Sequence, residues 1–171
     1  LESKIAAATC TEAALVFSSG YLANIGTIPT LAAEEDLILS DERNHISLIE
    51  GCRLSKATKQ IYRHCDPEHL RELLSQSSQF RRRLIVTDGV FSMQGDLAPL
   101  NEICDLAEKY DAIVMVDDSH ATGFLGPNGG GTADQLGVHE RIDIITSTMG
   151  KALGGASGGF TTGRKEIVEY L

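Results

Sequence analysis

The sequence predicts an α/β domain: an open, mostly parallel sheet of about seven strands with helices on both faces. Three observations predict it. Short apolar or β-branched runs alternate along the chain with stretches whose apolar residues recur at helical spacing. One run, Ala112-Ile113-Val114-Met115-Val116, is apolar without interruption, as a strand covered on both faces requires. Polar and reactive residues (Ser19, His45, Ser92, Asp117, His120, Lys151) follow closely on such runs. In a parallel sheet those strand ends share one edge.

Taken in order, Glu2 to Ala8 reads as the end of a helix. Ala13-Ala14-Leu15-Val16-Phe17 is a buried strand that ends at Ser18-Ser19-Gly20, and Tyr21-Leu22-Ala23-Asn24 opens a second helix. Asp36 to Ser40 is the next strand. Asp41-Glu42-Arg43-Asn44-His45 follows it, and Ile46, Ile49 and Leu54 then recur at helical spacing. Lys56 to Tyr62 is a more polar strand. Asp66-Pro67 supplies an N-cap and a first helical residue, and that helix runs to about Ser75. Arg81-Arg82-Arg83 is expected to be a solvated charge cluster before the strand Leu84 to Asp88.

Gly89 to Asp96 is a glycine-containing loop, and Pro99 to Tyr110 an amphipathic helix with Leu100, Ile103, Leu106 and Ala107 on one face. The strand 112–116 ends in Asp117-Asp118-Ser119-His120. Gly123 to Thr132 is a glycine-rich loop with few constraints on its shape. A short helix, Ala133 to Leu136, leads to a strand at Ile142 to Ile145. That strand runs into Thr146-Ser147-Thr148-Met149-Gly150-Lys151-Ala152-Leu153-Gly154-Gly155. Gly158 to Thr162 is a last short strand, and a helix begins at Arg164. No repeat, low-complexity segment or interdomain linker interrupts this order.

A chain of 171 residues with 42% hydrophobic content is one large domain or part of one. The net charge of -9 argues against nucleic acid and anionic membrane surfaces as partners. No apolar run approaches the roughly 20 residues that span a bilayer. Leu1-Glu2-Ser3-Lys4-Ile5 lacks the basic-then-apolar order of a signal peptide and an initiator Met, so the chain is expected to start inside a longer protein. Cys10, Cys52, Cys65 and Cys104 form no Cys-x-x-Cys pair and are expected to be reduced, mostly buried thiols of a cytosolic-type compartment. His64-Cys65 with His69 offers one thiol and no obvious fourth ligand, so no metal site is expected.

Several of these residues have two readings. Lys151, with small uncharged neighbours, is either a solvated side chain in a Gly-rich turn or a covalent catalyst tuned towards its neutral amine. Ser18-Ser19-Gly20 is either an ordinary turn or an anion site at a helix N-terminus. His45 is a cap, a surface residue or a functional group delivered by a strand end. Asp118 reads well as a loop cap. Asp117 reads poorly as one, because it follows a buried strand and a buried carboxylate without a cation is unfavourable. Together they suit pyridoxal phosphate. Its aldehyde needs a lysine, its ring nitrogen an acidic partner, and its phosphate a set of donors.

Asp117-Asp118-Ser119-His120-Ala121-Thr122-Gly123-Phe124 and Thr148-Met149-Gly150-Lys151-Ala152-Leu153-Gly154-Gly155 carry a clear resemblance. Ser40 to His45, Thr87 to Met93 and Gly154 to Gly159 support it. The chain resembles the α-oxoamine synthases, fold-type I pyridoxal-phosphate enzymes that condense an amino acid with an acyl-CoA, and within them the glycine C-acetyltransferase branch. The resemblance implies that residues 1–171 are the central part of the cofactor-binding large domain, with an N-terminal arm and a C-terminal small domain beyond it.

It further implies that Lys151 bonds the cofactor and later moves protons at the substrate α-carbon. Asp117 then meets the pyridine nitrogen and His120 the phenolic oxygen, with Ser92 nearby. His45 stacks on the ring face. Ser19, Gly20 and Tyr21 form the turn at the phosphate, where Thr148 adds a hydroxyl. The implied reaction joins glycine and acetyl-CoA to give 2-amino-3-oxobutyrate and CoA, and in reverse serves threonine breakdown. Relatives that form 8-amino-7-oxononanoate, 5-aminolevulinate or 3-ketosphinganine share most of these motifs, and a non-catalytic partner subunit is a further alternative. A homodimer with the active site at its interface is implied, in the cytoplasm or the mitochondrial matrix.

Overall fold

A computed structural model of the chain describes residues 1–154 and 157–171. Gly155 and Ala156, part of the glycine motif after Lys151, lie outside the described residues. The elements are α1 (Glu2–Ala8), β1 (Ala13–Phe17), α2 (Gly20–Leu31), β2 (Leu37–Asp41), α3 (Ile46–Leu54), β3 (Thr58–Tyr62), α4 (Pro67–Ser75), β4 (Arg83–Asp88), α5 (Leu100–Tyr110), β5 (Ala112–Asp117), α6 (Thr132–Leu136), β6 (Ile144–Thr148), β7 (Gly159–Gly163) and α7 (Lys165–Tyr170). A 3-10 turn, His139–Arg141, precedes β6.

The strands form one seven-stranded sheet in the order β1-β7-β6-β5-β4-β2-β3. Neighbours from β6 to β3 are parallel, and β7 runs antiparallel to both β1 and β6. Alternation along each strand makes two cores, because successive side chains point to opposite faces. Leu37, Leu39, Ile85, Val114 and Val116 pack with Leu70 and Leu74 of α4 and with Leu100 and Ile103 of α5. Ile38, Leu84, Val86 and Met115 pack with Ile28 of α2 and Leu48 of α3 on the other face. Each fully buried aliphatic side chain stabilises the fold by about 1.5–3 kcal/mol. The sheet, held on both sides, is a firm base for the loops at its edge.

Local chemistry places the helix ends. Asp66 caps α4 by accepting from the His69 N–H at 2.9 Å, with Pro67 at the first position. Ser19 caps α2 by accepting from the Leu22 N–H at 3.1 Å.

Three expectations are corrected. The strand expected at Ile142 to Ile145 lies at Ile144–Thr148. Ile142 and Asp143 are taken up in leaving the 3-10 turn, and the Asp143 carboxylate instead accepts from the Val114 N–H at 2.8 Å. The arginine cluster is not simply solvated: Arg81 and Arg82 both hold the buried Asp36, and Arg83 bonds Ser77. The loop 123–132 is well constrained. Asp134 accepts from the N–H groups of Asn128 and Gly130, and Asp118 from the N–H and hydroxyl of Thr132.

The cysteines are all free, with Cys52 and Cys104 buried, Cys65 half-buried and Cys10 exposed. Among the described residues no helix is long and apolar enough to cross a membrane.

Candidate active site

The C-terminal ends of the parallel strands surround a cavity of about 230 Å³. It is lined by Ser19, Gly20, Tyr21, His45, Ser47, Asp88, Asp117, Ser119, His120, Thr148 and Lys151. Of the nine site residues expected from sequence, eight meet here. Ser92 does not: it is exposed, in the loop between β4 and α5.

One wall is the N-terminus of α2. A helix leaves its first N–H groups without internal partners. The Ser19 hydroxyl satisfies that of Leu22, which leaves the first-turn donors of Gly20 and Tyr21 beside the cavity. Gly20 lets the backbone approach closely there, since a Cβ would lie 3.1 Å from Thr148 Cβ and 3.3 Å from Ser147 O and require its neighbours to shift slightly. Thr148, at the end of β6, donates to Gly158 O at 3.1 Å and stands across from this turn. The wall is rich in donors and helix-dipole positive, which suits an anion.

The floor is Asp117, the last residue of β5 and 4% exposed. Its Oδ1 accepts from the Ser119 N–H at 2.9 Å, and its Oδ2 from the side-chain amide of Asn24. Asn24, buried on α2, also donates to Ser47 Oγ at 2.9 Å and accepts from Thr146 Oγ1 at 2.7 Å. These donors are neutral, and among the described residues no cation pairs with Asp117. Asp88 ends β4 directly abreast of Asp117 in the sheet register. Its Oδ2 accepts from the His45 N–H at 2.7 Å. Burial, followed by the charge of Asp117, pushes the Asp88 carboxyl up to about 8.

His45 is exposed and caps α3, with its Nδ1 2.7 Å from Ser47 Oγ. His120 lies three residues beyond Asp117. Its Nε2 is 2.9 Å from Lys151 Nζ, while its buried Nδ1 has no partner. Burial and then the Lys151 charge hold the His120 pKa below the usual histidine range, which favours the neutral ring. Lys151 itself is exposed in the turn after β6.

Sequence reasoning missed Asp88, Asn24, Ser47 and Ser119. The signal for Asp88 was present: it ends a buried strand just as Asp117 does. Asn24 and Ser47 matter only because α2 and α3 pack together over the strand ends.

The family described as aminotransferase class I and II matches residues 1–171. The chain is 53% identical to 8-amino-7-oxononanoate synthase 2 of Bacillus subtilis (strain 168), over all of this chain and 43% of that protein. It is equally 53% identical to the mitochondrial 2-amino-3-ketobutyrate coenzyme A ligase of Homo sapiens, over all of this chain and 41% of that protein. The chain thus spans 41 to 43% of the length of these curated relatives. A serine palmitoyltransferase of S. paucimobilis, solved with a bound PLP–myriocin aldimine, superposes with a TM-score of 0.94 at 36% identity, covering 98% of this chain and 42% of that one.

Proposed function

The chain belongs to the aminotransferase class I and II family, and from that premise we propose that it is the pyridoxal-phosphate-binding core of an α-oxoamine synthase, the class to which these relatives belong. The observation that carries the reading is the meeting of Lys151, His120 and Asp117 in one cavity with the N-terminus of α2. The residues fit the cofactor. A protonated ring nitrogen supplies the partner that the buried Asp117 lacks. Ser19, Gly20, Tyr21 and Thr148 suit its phosphate. The unpartnered Nδ1 of His120 marks an imidazole with bonding capacity in reserve beside the cavity. When bound, the cofactor supplies an electron sink for charge that develops at an amino-acid α-carbon.

The chain's own residues then have defined tasks. Asn24 and the Ser119 N–H orient the Asp117 carboxylate, which would hold the proton at the ring nitrogen. His45 would cover a ring face. Lys151 Nζ would hold the cofactor covalently and would move the proton at the substrate α-carbon. His120 keeps that Nζ in reach through the hydrogen bond between Nε2 and Nζ. Ser92 joins the site only if its loop moves inward.

The finer reading is condensation of glycine with acetyl-CoA to give 2-amino-3-oxobutyrate and CoA, which run backwards serves threonine catabolism. The match to the human ligase supports it. The equal match to the B. subtilis synthase supports a second reading, with another amino acid and a longer acyl chain. Exposed apolar side chains next to cavity residues (Tyr21, Leu22, Ile46, Leu153) support a homodimer that covers this edge.

The test uses the full-length protein that contains this chain. Added pyridoxal phosphate should produce a visible absorbance band, and borohydride should fix the cofactor on Lys151. Fixation elsewhere refutes the site. CoA release from glycine plus acetyl-CoA, set against alanine or serine with longer acyl-CoAs, separates the two readings.

A further inference from the structure

Next to the cavity, on the same sheet edge, lies a polar cluster that the cofactor reading leaves unused. His64 follows β3. Its Nδ1 is 3.0 Å from Asp41 Oδ1 and its Nε2 is 3.0 Å from Asp96 Oδ2. Asp41 is the buried last residue of β2. Its carboxylate also accepts from the Arg43 N–H and the Cys65 N–H, each at 2.9 Å. Arg43 belongs to the turn that delivers His45 to the cavity. Asp96 is exposed, in the Gly89 to Ala98 loop that carries Ser92. That loop is closed on itself by Gly95 N–H to Phe91 O at 2.7 Å and Ala98 N–H to Gly89 O at 3.0 Å. The buried Phe91 meets the His64 ring edge-on, with centroids 4.4 Å apart.

Asp41, His64 and Cys65 bring potential ligand atoms within 4.8 Å of one another, so a metal site has to be weighed. His69 takes no part, since its Nδ1 accepts from the Arg63 N–H. Both nitrogens of His64 are already engaged by carboxylates. Burial, followed by the charges of Asp41 and Asp96, pushes the Cys65 thiol up to about 11, away from the thiolate a metal needs. The geometry favours a strap over a metal centre.

We propose that His64, as an imidazolium, is a positioning residue that straps the Gly89 to Ala98 loop to the turn before His45. Two acceptor carboxylates, one on each ring nitrogen, require two N–H donors, and only the imidazolium has both. A neutral ring turns one lone pair onto a carboxylate. The buried Asp41 keeps the remaining proton at Nδ1, and the Asp96 contact, hence the loop, is released. The charged and titratable groups facing the ring are Asp41, Asp96, Arg43 and Cys65. Burial lowers the His64 pKa and Arg43 opposes protonation, but the two carboxylates outweigh them and the net direction is upward. The strap is therefore complete below about pH 6.5 and is lost as pH rises through the raised folded value. Only its service to the cofactor cavity rests on the functional reading above.

The test is hydrogen–deuterium exchange of the loop peptide in the full-length, cofactor-free protein between about pH 6 and about pH 9, corrected for intrinsic rates. The wild-type loop should exchange about two- to fivefold faster above the transition, the worth of a half-exposed ion pair. Asp96→Ala, an exposed substitution that leaves the core intact and offers His64 Nε2 neither donor nor acceptor, should show the fast rate throughout with no transition. It should also bind pyridoxal phosphate more weakly than wild type at low pH and equally at high pH. A wild-type loop with no transition, or a transition that survives Asp96→Ala, overturns the strap. Cofactor affinity unchanged by Asp96→Ala at low pH overturns its link to the cavity. A strap that behaves as expected in a protein that takes up no pyridoxal phosphate supports the strap and overturns only the functional reading.

Discussion

The two ends of the sheet treat buried carboxylates differently. At the N-terminal ends of the strands, Asp36 is gripped by Arg81 and Arg82, each 3.0 Å away, and Asp143 by Arg164 at 2.7 Å. At the C-terminal ends, Asp41 has His64 at 3.0 Å, but Asp88 and Asp117 lie abreast at the cavity with N–H and amide groups as their hydrogen-bond donors. A carboxylate with its cation built in is already compensated within the chain, and losing either partner is destabilising. One without a cation is destabilising until something else supplies the charge. The difference separates carboxylates that hold the fold from those at the cavity, where we propose that a ligand binds.

Four substitutions test that contrast in the full-length protein. Lys151→Ala should have the largest effect, lowering turnover by at least about 10³-fold and abolishing borohydride fixation at this position, with the urea midpoint unchanged. Activity near wild type would remove Lys151 from the chemistry. Asp36→Ala should cost about 2 kcal/mol in urea denaturation while sparing cofactor affinity, because the released guanidinium groups can still reach water. Burial alone would push the Asp36 carboxyl up, but bonds from Arg81, Ala33 and Arg82 outweigh it and hold it well below the usual range. Its contribution is thus present above about pH 4 and is lost as pH falls through the depressed value.

Asp88 should act with the opposite sign. Its folded pKa is raised, so between about pH 4 and about pH 8 the folded protein keeps a proton that the unfolded chain has released. Cofactor-free stability then falls as pH rises across that window, and Asp88→Asn should flatten the slope. Denaturant midpoints over the same range check it, and an unchanged slope would assign the proton elsewhere. Gly20→Ala should have the smallest effect. Its Cβ needs Thr148 to give by a few tenths of an ångström. Cofactor affinity should weaken by less than about fivefold, the equivalent of about 1 kcal/mol, in a binding titration.

What was legible in the sequence was whatever acts locally. The strands Ala13–Phe17 and Ala112–Asp117 and the helix Leu100–Tyr110 declare themselves by periodicity. The Asp66-Pro67 cap lies within one helical turn of its target. Lys151 and Asp117 stood out because each was out of keeping with its neighbours. What was hidden depends on sheet order and on contacts across the chain. Asp88 became a partner of Asp117 only once β4 lay beside β5. Asn24 reaches Asp117 across 93 positions, and Asp134 shapes a loop that looked unconstrained when read alone. Ser92 illustrates the converse: a motif can single out a residue without saying where its loop rests.

The position of β7 bears on how the molecule is made. Among the described residues, the one strand that pairs with β1 is β7, which joins Ala13 with Gly163 and comes last of the seven strands in sequence. During synthesis from the N-terminus, β1 and the Ser19 turn emerge early but have no place in the sheet until nearly the whole segment has left the ribosome. Such distant pairings form late, because a long loop must close before any contact rewards it. The turn proposed as the phosphate site would then be among the last parts of this segment to assemble, and its capacity to bind would report that the sheet is complete.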